Sequence, residues 1–89
     1  MQASLHSPQV DIRLCDAVVG MLYHVVEVEM QGYAGDRIVE LGLTPAAPVL
    51  VLRRAPFGGP LQLQVRDYVL SMRSDQAASI RIVQAGATA

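Results

Sequence analysis

With 89 residues, 52% of them apolar, the chain is long enough for one small domain with a packed core and too short for two. Seven basic and eight acidic residues give a net charge of −1, and the only adjacent basic pair is Arg53–Arg54, which disfavours a nucleic-acid partner. The single cysteine, an N-terminus without signal-peptide features and the lack of any apolar run of about 20 residues predict a cytoplasmic protein that does not insert into membranes.

Two strands are predicted in the first third of the chain. Residues 1–9 show no periodicity, and we expect them to be a disordered leader. Alternating apolar residues predict a short edge strand over Val10–Leu14 and a longer strand over Leu22–Met30. In the longer strand, Glu27 and Glu29 indicate the face that meets water. The other face is expected to be the apolar one and holds Leu22, His24, Val26, Val28 and Met30.

A short helix is predicted over residues 34–41. Its apolar positions lie on one helical face, namely Ala34, Ile38 and Leu41. Gly42 stands where helices commonly end in a left-handed residue, and Pro45 prevents the helix from continuing.

Apolar strands and turns alternate in the second half of the chain. Val49–Leu52 is continuously apolar, which predicts a strand covered on both faces, and residues 57–60 predict a turn. The alternation from Leu61 to Arg66 predicts another strand, followed by a tight hairpin at Arg66–Asp67. The side chains expected to point inward from these two hairpin strands are Leu61, Leu63 and Val65, then Tyr68, Leu70 and Met72.

A helical turn and a last strand complete the predicted domain. Ser74 is expected to cap a single turn over residues 75–78, and Ile80 and Ile82 predict the last strand. Residues 85–89 are expected to be a loose tail. Five or six short strands with tight turns and one short helix predict a mainly β fold, a small closed or partly open barrel over residues 10–84.

Three ordered blocks carry a family resemblance: RIVELGLTP, VLVLRRAPFGGPLQLQV and YVLSMRSDQAASIRIV. The positions concerned are Arg37, Leu41, Gly42, Leu43 and Pro45, then Ala55, Pro56, Gly58 and Pro60, then Met72, Arg73, Ala77, Ile80 and Ile82. Over about Arg13–Val83 the chain resembles the FeoA family of small ferrous iron transport proteins. Two positions depart from the family pattern. Ala46 replaces a glycine, which leaves that turn open to a different backbone conformation, and Asp67 replaces a hairpin glycine, although Asp tolerates the left-handed region.

The resemblance implies an SH3-like β-barrel and a non-enzymatic, cytosolic accessory role in ferrous iron uptake. The implied partner is FeoB, the membrane ferrous iron transporter with a cytosolic G-protein domain, which the chain would bind and modulate. An alternative is a metal-responsive regulatory domain, because iron-dependent repressors have a similar SH3-like C-terminal domain. The residues themselves show neither a glycine-flanked serine nor a phosphate-binding loop, so no catalytic residue is predicted.

Arg53, Arg54 and Phe57 are the candidate partner-binding residues, together with Leu43. An aromatic residue on a glycine-rich loop beside two arginines has the composition of an interface anchor. The favoured interpretation of Phe57, however, is a plug that folds back over the open end of the barrel. A second candidate surface is a groove between the helix and the barrel, bordered by Val39, Leu41 and Leu43.

The candidate metal ligands are His6, Cys15 and His24. No second ligand stands two residues from His24, so a packed or rim histidine is the favoured interpretation. We expect no required cofactor, and the open alternatives are weak or adventitious zinc or iron binding and a free-standing metal carrier. The high apolar content also leaves open a homodimer, including one bridged by metal through these residues.

Overall fold

In the part of the chain that the structure describes, six antiparallel strands form one sheet in the order β1-β6-β2-β3-β4-β5. The computed structural model describes residues 11–85. Its elements are β1 (Ile12–Arg13), a 3-10 helix (Leu14–Asp16), β2 (Leu22–Val28), α1 (Gly32–Glu40), β3 (Pro48–Arg54), β4 (Leu61–Val65), β5 (Tyr68–Met72), α2 (Ser74–Ala77) and β6 (Ile80–Gln84). No helix in this part of the chain has the length and apolar character needed to cross a membrane.

The sheet, the 3-10 helix and both α-helices contribute side chains to one apolar core. Every buried side chain within residues 11–85 is hydrophobic, and the largest of those that are fully buried are Leu14, Leu43, Leu61, Leu63, Ile80 and Ile82. The alternation predicted for β4 is confirmed, because its burial alternates residue by residue from Leu61 to Val65. Tyr23 is the one core residue with a hydroxyl, which accepts a hydrogen bond from the Val18 N–H at 2.9 Å. The core therefore holds together by burial of apolar surface, and its one hydroxyl is satisfied.

The predicted orientation of β2 is wrong in its first half. Tyr23 and Val25 point into the core, whereas Leu22 is 45% exposed and His24 lies half-buried on the outer face. The pairing of β2 with β6 shifts between Val25 and Glu27. Such a bulge adds one residue and reverses which face the following side chains occupy. Strict alternation therefore cannot assign both halves of the strand to the same face.

The helix α1 and its exit turn follow the prediction with small shifts. The helix begins at Gly32 instead of residue 34, and Gly42 follows it with a φ of 108°. A side chain at Gly42 would lie 3.2 Å from the Tyr68 hydroxyl, so this glycine also permits the turn to pack under the β4–β5 hairpin. Ala46 has a φ of 72°. Ala46 thus adopts the left-handed backbone that suits glycine.

The β4–β5 hairpin and β5 differ from the prediction in two details. The loop has two residues, as expected, but the positive φ falls on Arg66 (57°) and not on Asp67. In β5, Met72 is buried and Leu70 half-buried, but Tyr68 is 40% exposed. Tyr68 therefore does not belong to the core, because β5 is the last strand of the sheet and its first residue lies at the margin of the fold.

The two ends of the described chain also differ slightly from the prediction. The first strand is an edge strand, as predicted, but it contains only Ile12 and Arg13, and Leu14 already belongs to the 3-10 helix. The predicted contribution of Val10 and the predicted leader over residues 1–9 lie outside the described residues, as does most of the predicted tail. The last strand is confirmed as Ile80–Gln84.

Candidate partner-binding surface

The loop between β3 and β4 is a tight, well-defined turn. The Ala55 N–H donates to the Pro60 carbonyl at 2.9 Å, and the Gly59 N–H donates to the Pro56 carbonyl at 3.2 Å. The two residues between Pro56 and Gly59 both have positive φ, 59° at Phe57 and 73° at Gly58. Positive φ at both central positions is the pattern of a type I′ turn. The loop backbone is therefore fixed by hydrogen bonds within the loop itself.

Phe57 occupies the tip of this turn and is fully exposed (103%). The prediction that it plugs the barrel is wrong, because a residue at the first central position of this turn points away from the two strands. A left-handed backbone costs a residue with a Cβ about 1–2 kcal/mol, and a bulky aromatic is unusual there. The structure thus presents a large apolar side chain to solvent in a strained conformation.

The helix α2 is hydrogen-bonded to the loop. The Ser74 hydroxyl donates to the Gly59 carbonyl at 3.0 Å, so this serine does not cap the helix as predicted. The helix starts one residue earlier than expected, and its first turn is stabilised by the Asp75 carboxylate, which accepts the Gln76 N–H at 2.9 Å. Arg73 pairs with Asp75 at 2.9 Å and lowers the pKa of that carboxyl. These contacts fix the position of the loop relative to the sheet.

The two arginines of β3 have different roles. The Arg54 guanidinium donates to the carbonyl oxygens of Cys15 and Ala17, which joins the end of β3 to the 3-10 helix. Arg53 is exposed and, within residues 11–85, forms no ion pair. It lines a shallow pocket of about 370 Å³ beside Pro56. Of the two arginines, Arg53 is therefore the one available to a partner, and Arg54 supports the scaffold.

Leu43 is fully buried, so its prediction as a partner-binding residue is wrong. It lies three residues after the end of α1 and packs into the core, since the turn at Gly42 leads the chain inward. A groove of about 330 Å³ does run beside α1, but between the helix and β5. Leu41 lines this groove as expected, and Val39 does not. The helix is amphipathic with a wider apolar stripe than the three predicted positions indicate, since Tyr33 lines the groove in addition to Ala34, Ile38 and Leu41.

The structure does not bring the candidate metal ligands together. His24 lies opposite Val83, near the C-terminal end of β6. Cys15 follows β1, which runs antiparallel to β6 and pairs through Arg13 with Arg81, so Cys15 lies beyond the N-terminal end of β6. A difference of about three strand residues corresponds to roughly 10 Å, too far for one ion to be bound by both side chains. Within residues 11–85 no group of three or more His, Cys, Asp or Glu side chains could hold a metal ion. His6 lies outside the described residues.

An ion-pair network on the outer face of the sheet was missed in the sequence. Arg81 of β6 pairs with Asp11 at 2.6 Å, with Glu29 at 2.8 Å, and also with Glu27. Arg13 pairs with Glu29 at 2.5 Å. The hydrogen bond from Arg13, together with Arg81, lowers the pKa of Glu29 below its ordinary value of 4.5. These residues are 16 to 70 positions apart in the chain, so only the strand order reveals their proximity.

Known proteins share both the sequence pattern and the fold. A family model described as the FeoA domain matches residues 12–84. The Fe(2+) transport protein A/Fe(2+) transporter FeoB fusion protein of Porphyromonas gingivalis is 31% identical over 71 residues, which cover 80% of this chain but only 8% of that protein. The solution structure of the FeoA protein from Chlorobium tepidum is 28% identical, with a TM-score of 0.78 over 84% of this chain and 71% of that chain.

Two further structures share the fold. A Stenotrophomonas maltophilia FeoA, crystallised with zinc and described as an SH3 domain protein, is 22% identical, with a TM-score of 0.72 over 85% of this chain and 93% of that chain. A manganese-dependent transcriptional repressor is 16% identical, with a TM-score of 0.77 over 88% of this chain and 44% of that chain. At these identities the likeness concerns the SH3-like fold alone. The family match covers the sheet, both helices and the Phe57 turn, and the chain therefore belongs to the FeoA domain family of ferrous iron transport.

Proposed function

We propose that this chain binds the cytosolic region of a FeoB-type ferrous iron transporter and modulates its activity, with Phe57 at the centre of the contact. The family match and the fusion of a related domain to FeoB in the Porphyromonas gingivalis protein support this partner. Exposure of Phe57 on a strained turn supports this position for the contact, because strain retained at a surface residue commonly accompanies function.

The Phe57 turn has the properties of a preorganised contact. Burying an aromatic side chain removes about 150–250 Å² from water, and such residues dominate the binding energy of many interfaces. The backbone is already fixed by the hydrogen bonds across the loop and by Ser74, so little conformational entropy is lost on binding. Arg53 next to the turn would meet an acidic group of the partner. In this proposal the chain acts by binding in the cytosol and carries out no reaction, and the ferrous ion is the cargo of the transporter.

The proposal is tested by titrating the purified chain with the cytosolic region of the transporter, with and without guanine nucleotide. We expect saturable one-to-one binding by calorimetry and a change in nucleotide turnover or in reconstituted iron uptake. Absence of binding in every nucleotide state would falsify the proposed function.

Two substitutions of Phe57 separate its role in binding from its effect on folding. Phe57→Ala removes the ring, and Phe57→Gly removes the ring and also relieves the backbone strain. We expect both variants to bind at least about tenfold more weakly, as truncation of a central aromatic does. Phe57→Gly should also unfold at a higher temperature than Phe57→Ala, since glycine accepts positive φ at no steric cost.

Ala46→Gly is the matched control for these variants. It relieves strain at a second left-handed position, and we expect it to raise stability without changing binding. Wild-type affinity in Phe57→Ala would remove Phe57 from the interface.

The alternative function is a metal-responsive regulatory domain. Its support is the shared fold with the manganese-dependent repressor, a likeness that concerns the fold alone. Titration of the chain with Mn²⁺, Fe²⁺ and Zn²⁺ after chelator dialysis separates the two proposals. Stoichiometric binding that is lost in Cys15→Ser or His24→Ala would favour the regulatory alternative or a metal carrier. A mass measurement by light scattering with and without Zn²⁺ tests for a metal-bridged homodimer.

A further inference from the structure

The strand β5 has an unpaired edge. It is last in the sheet and pairs only with β4 among the described strands. A two-residue loop joins the two strands, so Val65 and Tyr68 form the closing hydrogen-bonded pair. Hydrogen-bonded and non-hydrogen-bonded pairs alternate along an antiparallel ladder. Val69 and Ser71 therefore direct their N–H and C=O groups away from β4, toward the open side.

Within β5 itself, no residue protects this edge against pairing. Natural sheets commonly shield an edge with charged side chains, proline or a covering segment. The β5 sequence YVLSM contains no charged residue and no proline. Val69 is 57% exposed and Tyr68 is 40% exposed. An exposed, apolar and unshielded edge is a template for another extended segment.

The groove beside β5 indicates the chemistry of that segment. Its walls are α1 on one side and β5 on the other, and its lining is mainly apolar, including Ile38, Leu41 and Met72. Arg37 is the only charged residue in the lining and, within residues 11–85, forms no ion pair. A segment with alternating apolar side chains and a carboxylate would fill the groove and neutralise this guanidinium.

The edge and the Phe57 surface are continuous. Ser71 lines the groove beside α1, and it also lines the pocket that contains Arg53 and Pro56. The five residues of β5 span about 17 Å, enough for five residues of a bound strand. An extended segment paired with β5 would therefore pass from the α1 groove to the Phe57 turn.

We propose that the partner binds by strand addition: an extended, alternating apolar segment with one acidic residue pairs with the free edge of β5 and places its carboxylate against Arg37. This inference rests on the proposed function, because the segment belongs to the cytosolic region of the transporter. It adds the binding mode and the chemistry of the recognised segment.

Substitution of Val69 tests how much the backbone hydrogen bonds at the β5 edge contribute to binding. Val69→Pro removes one outward N–H and places a ring where the added strand would lie, but it removes no β4–β5 hydrogen bond, and edge strands tolerate proline. We expect this variant to bind the transporter's cytosolic region about tenfold more weakly. Val69→Thr is the matched control, because it keeps the N–H and the branched shape, and its affinity should stay within about threefold of wild type. Thermal melting verifies that both variants fold.

Hydrogen exchange gives a second readout that needs no variant. In the free chain the amides of Val69 and Ser71 should exchange rapidly, and in the complex both should become protected. Overlapping 15-residue peptides that tile the cytosolic region of the transporter provide the probe for the segment. Those that bind should alternate in apolar character and contain Asp or Glu, and Arg37→Gln should weaken them several-fold.

The outcomes distinguish this inference from the proposed function. Failure of the wild-type chain to bind the transporter overturns both. Binding that Phe57→Gly weakens and Val69→Pro leaves unchanged, with no protection at Val69 and Ser71, overturns strand addition and leaves the proposed function intact. A dimer that Val69→Pro dissociates, without an effect on transporter binding, assigns the edge to a second copy of the chain and also overturns the inference.

Discussion

Among residues 11–85, three residues other than glycine have positive φ: Ala46 (72°), Phe57 (59°) and Arg66 (57°). Glycine and proline signals predict the turns at Ala46 and Phe57, and the end of the apolar alternation predicts the hairpin at Arg66, so all three turns could be located from the sequence. The residue that takes the left-handed conformation could not, because this depends on the loop length and on the hydrogen bonds that close each turn. For Phe57 the backbone conformation decides the proposed function. The same sequence is compatible with a ring that plugs the barrel and with a ring that is exposed as an interface anchor.

Ala46→Gly should stabilise the protein. Glycine removes the steric cost of positive φ, about 1–2 kcal/mol, but its greater conformational freedom in the unfolded chain offsets part of this gain, so a net gain of about 0.5–1 kcal/mol is expected. Denaturation in urea measures it, and the melting temperature should rise by about 2–8 °C. Ala78→Gly is the control, because Ala78 has a φ of −65° and gains nothing from glycine. A destabilised Ala46→Gly variant would contradict the strain argument.

The elements of the fold could be predicted to within a few residues, but their orientation depends on tertiary pairing. The strand β2 shows this most clearly: its length is close to the prediction, yet the bulge opposite Arg81 and Ile82 reverses its faces. A bulge depends on the register with β6, which lies more than 50 residues away in the chain. The alternation of β4 could be predicted correctly because a short hairpin fixes its register locally.

The ion network that joins β1, β2 and β6 predicts a specific dependence of stability on pH. The folded state lowers the pKa of Glu29, so its contribution to stability is present above the ordinary value of 4.5 and is lost as the pH falls through the lower folded value. Glu29→Gln should therefore be less stable than wild type at pH 7, and the difference should shrink on acidification to about pH 3. Urea unfolding at several pH values measures this.

Glu40→Gln is the control for the Glu29→Gln variant. Its carboxylate is exposed on α1 and forms no ion pair within residues 11–85, so we expect a small effect at every pH. High salt should also reduce the difference between Glu29→Gln and wild type, because the network is exposed to solvent. A constant difference across the pH range would show that Glu29 acts by packing and not by charge.

At the scale of the whole molecule, the class of fold and its family could be predicted because they depend on spaced apolar residues and turn signals throughout the chain. The surface could not be predicted to the same extent. Leu43 and Arg54 were expected at the partner surface, yet Leu43 is buried and Arg54 donates to the carbonyl oxygens of Cys15 in the 3-10 helix and of Ala17 just after it. The groove between α1 and β5 was only partly foreseen, because one of its walls belongs to a strand that follows the helix by about 30 residues.

Because no buried polar side chain stands among the described residues, the core is stabilised by apolar packing. Leu63→Ala should therefore cost about 2–5 kcal/mol, through lost burial and the cavity left behind. Gln64→Ala, on the outer face of the same strand, should change stability by less than about 0.5 kcal/mol. Chemical denaturation of both variants provides the comparison, and similar values for the two would contradict the assigned orientation of β4.

The pairing of Ile12 with Ile82 has a consequence for how such a domain operates inside a larger assembly. The chain enters and leaves the sheet at neighbouring points. A tether to another domain would therefore begin at nearly the same position, whichever end of the sheet it extends from. A short flexible tether holds two joined domains at an effective concentration of about millimolar. In a covalent fusion, the contact through Phe57 and the edge of β5 would then remain formed most of the time, even with a dissociation constant of about 0.1 mM. A separate chain acting on the same transporter would need a tighter contact, and its occupancy would follow its abundance in the cell.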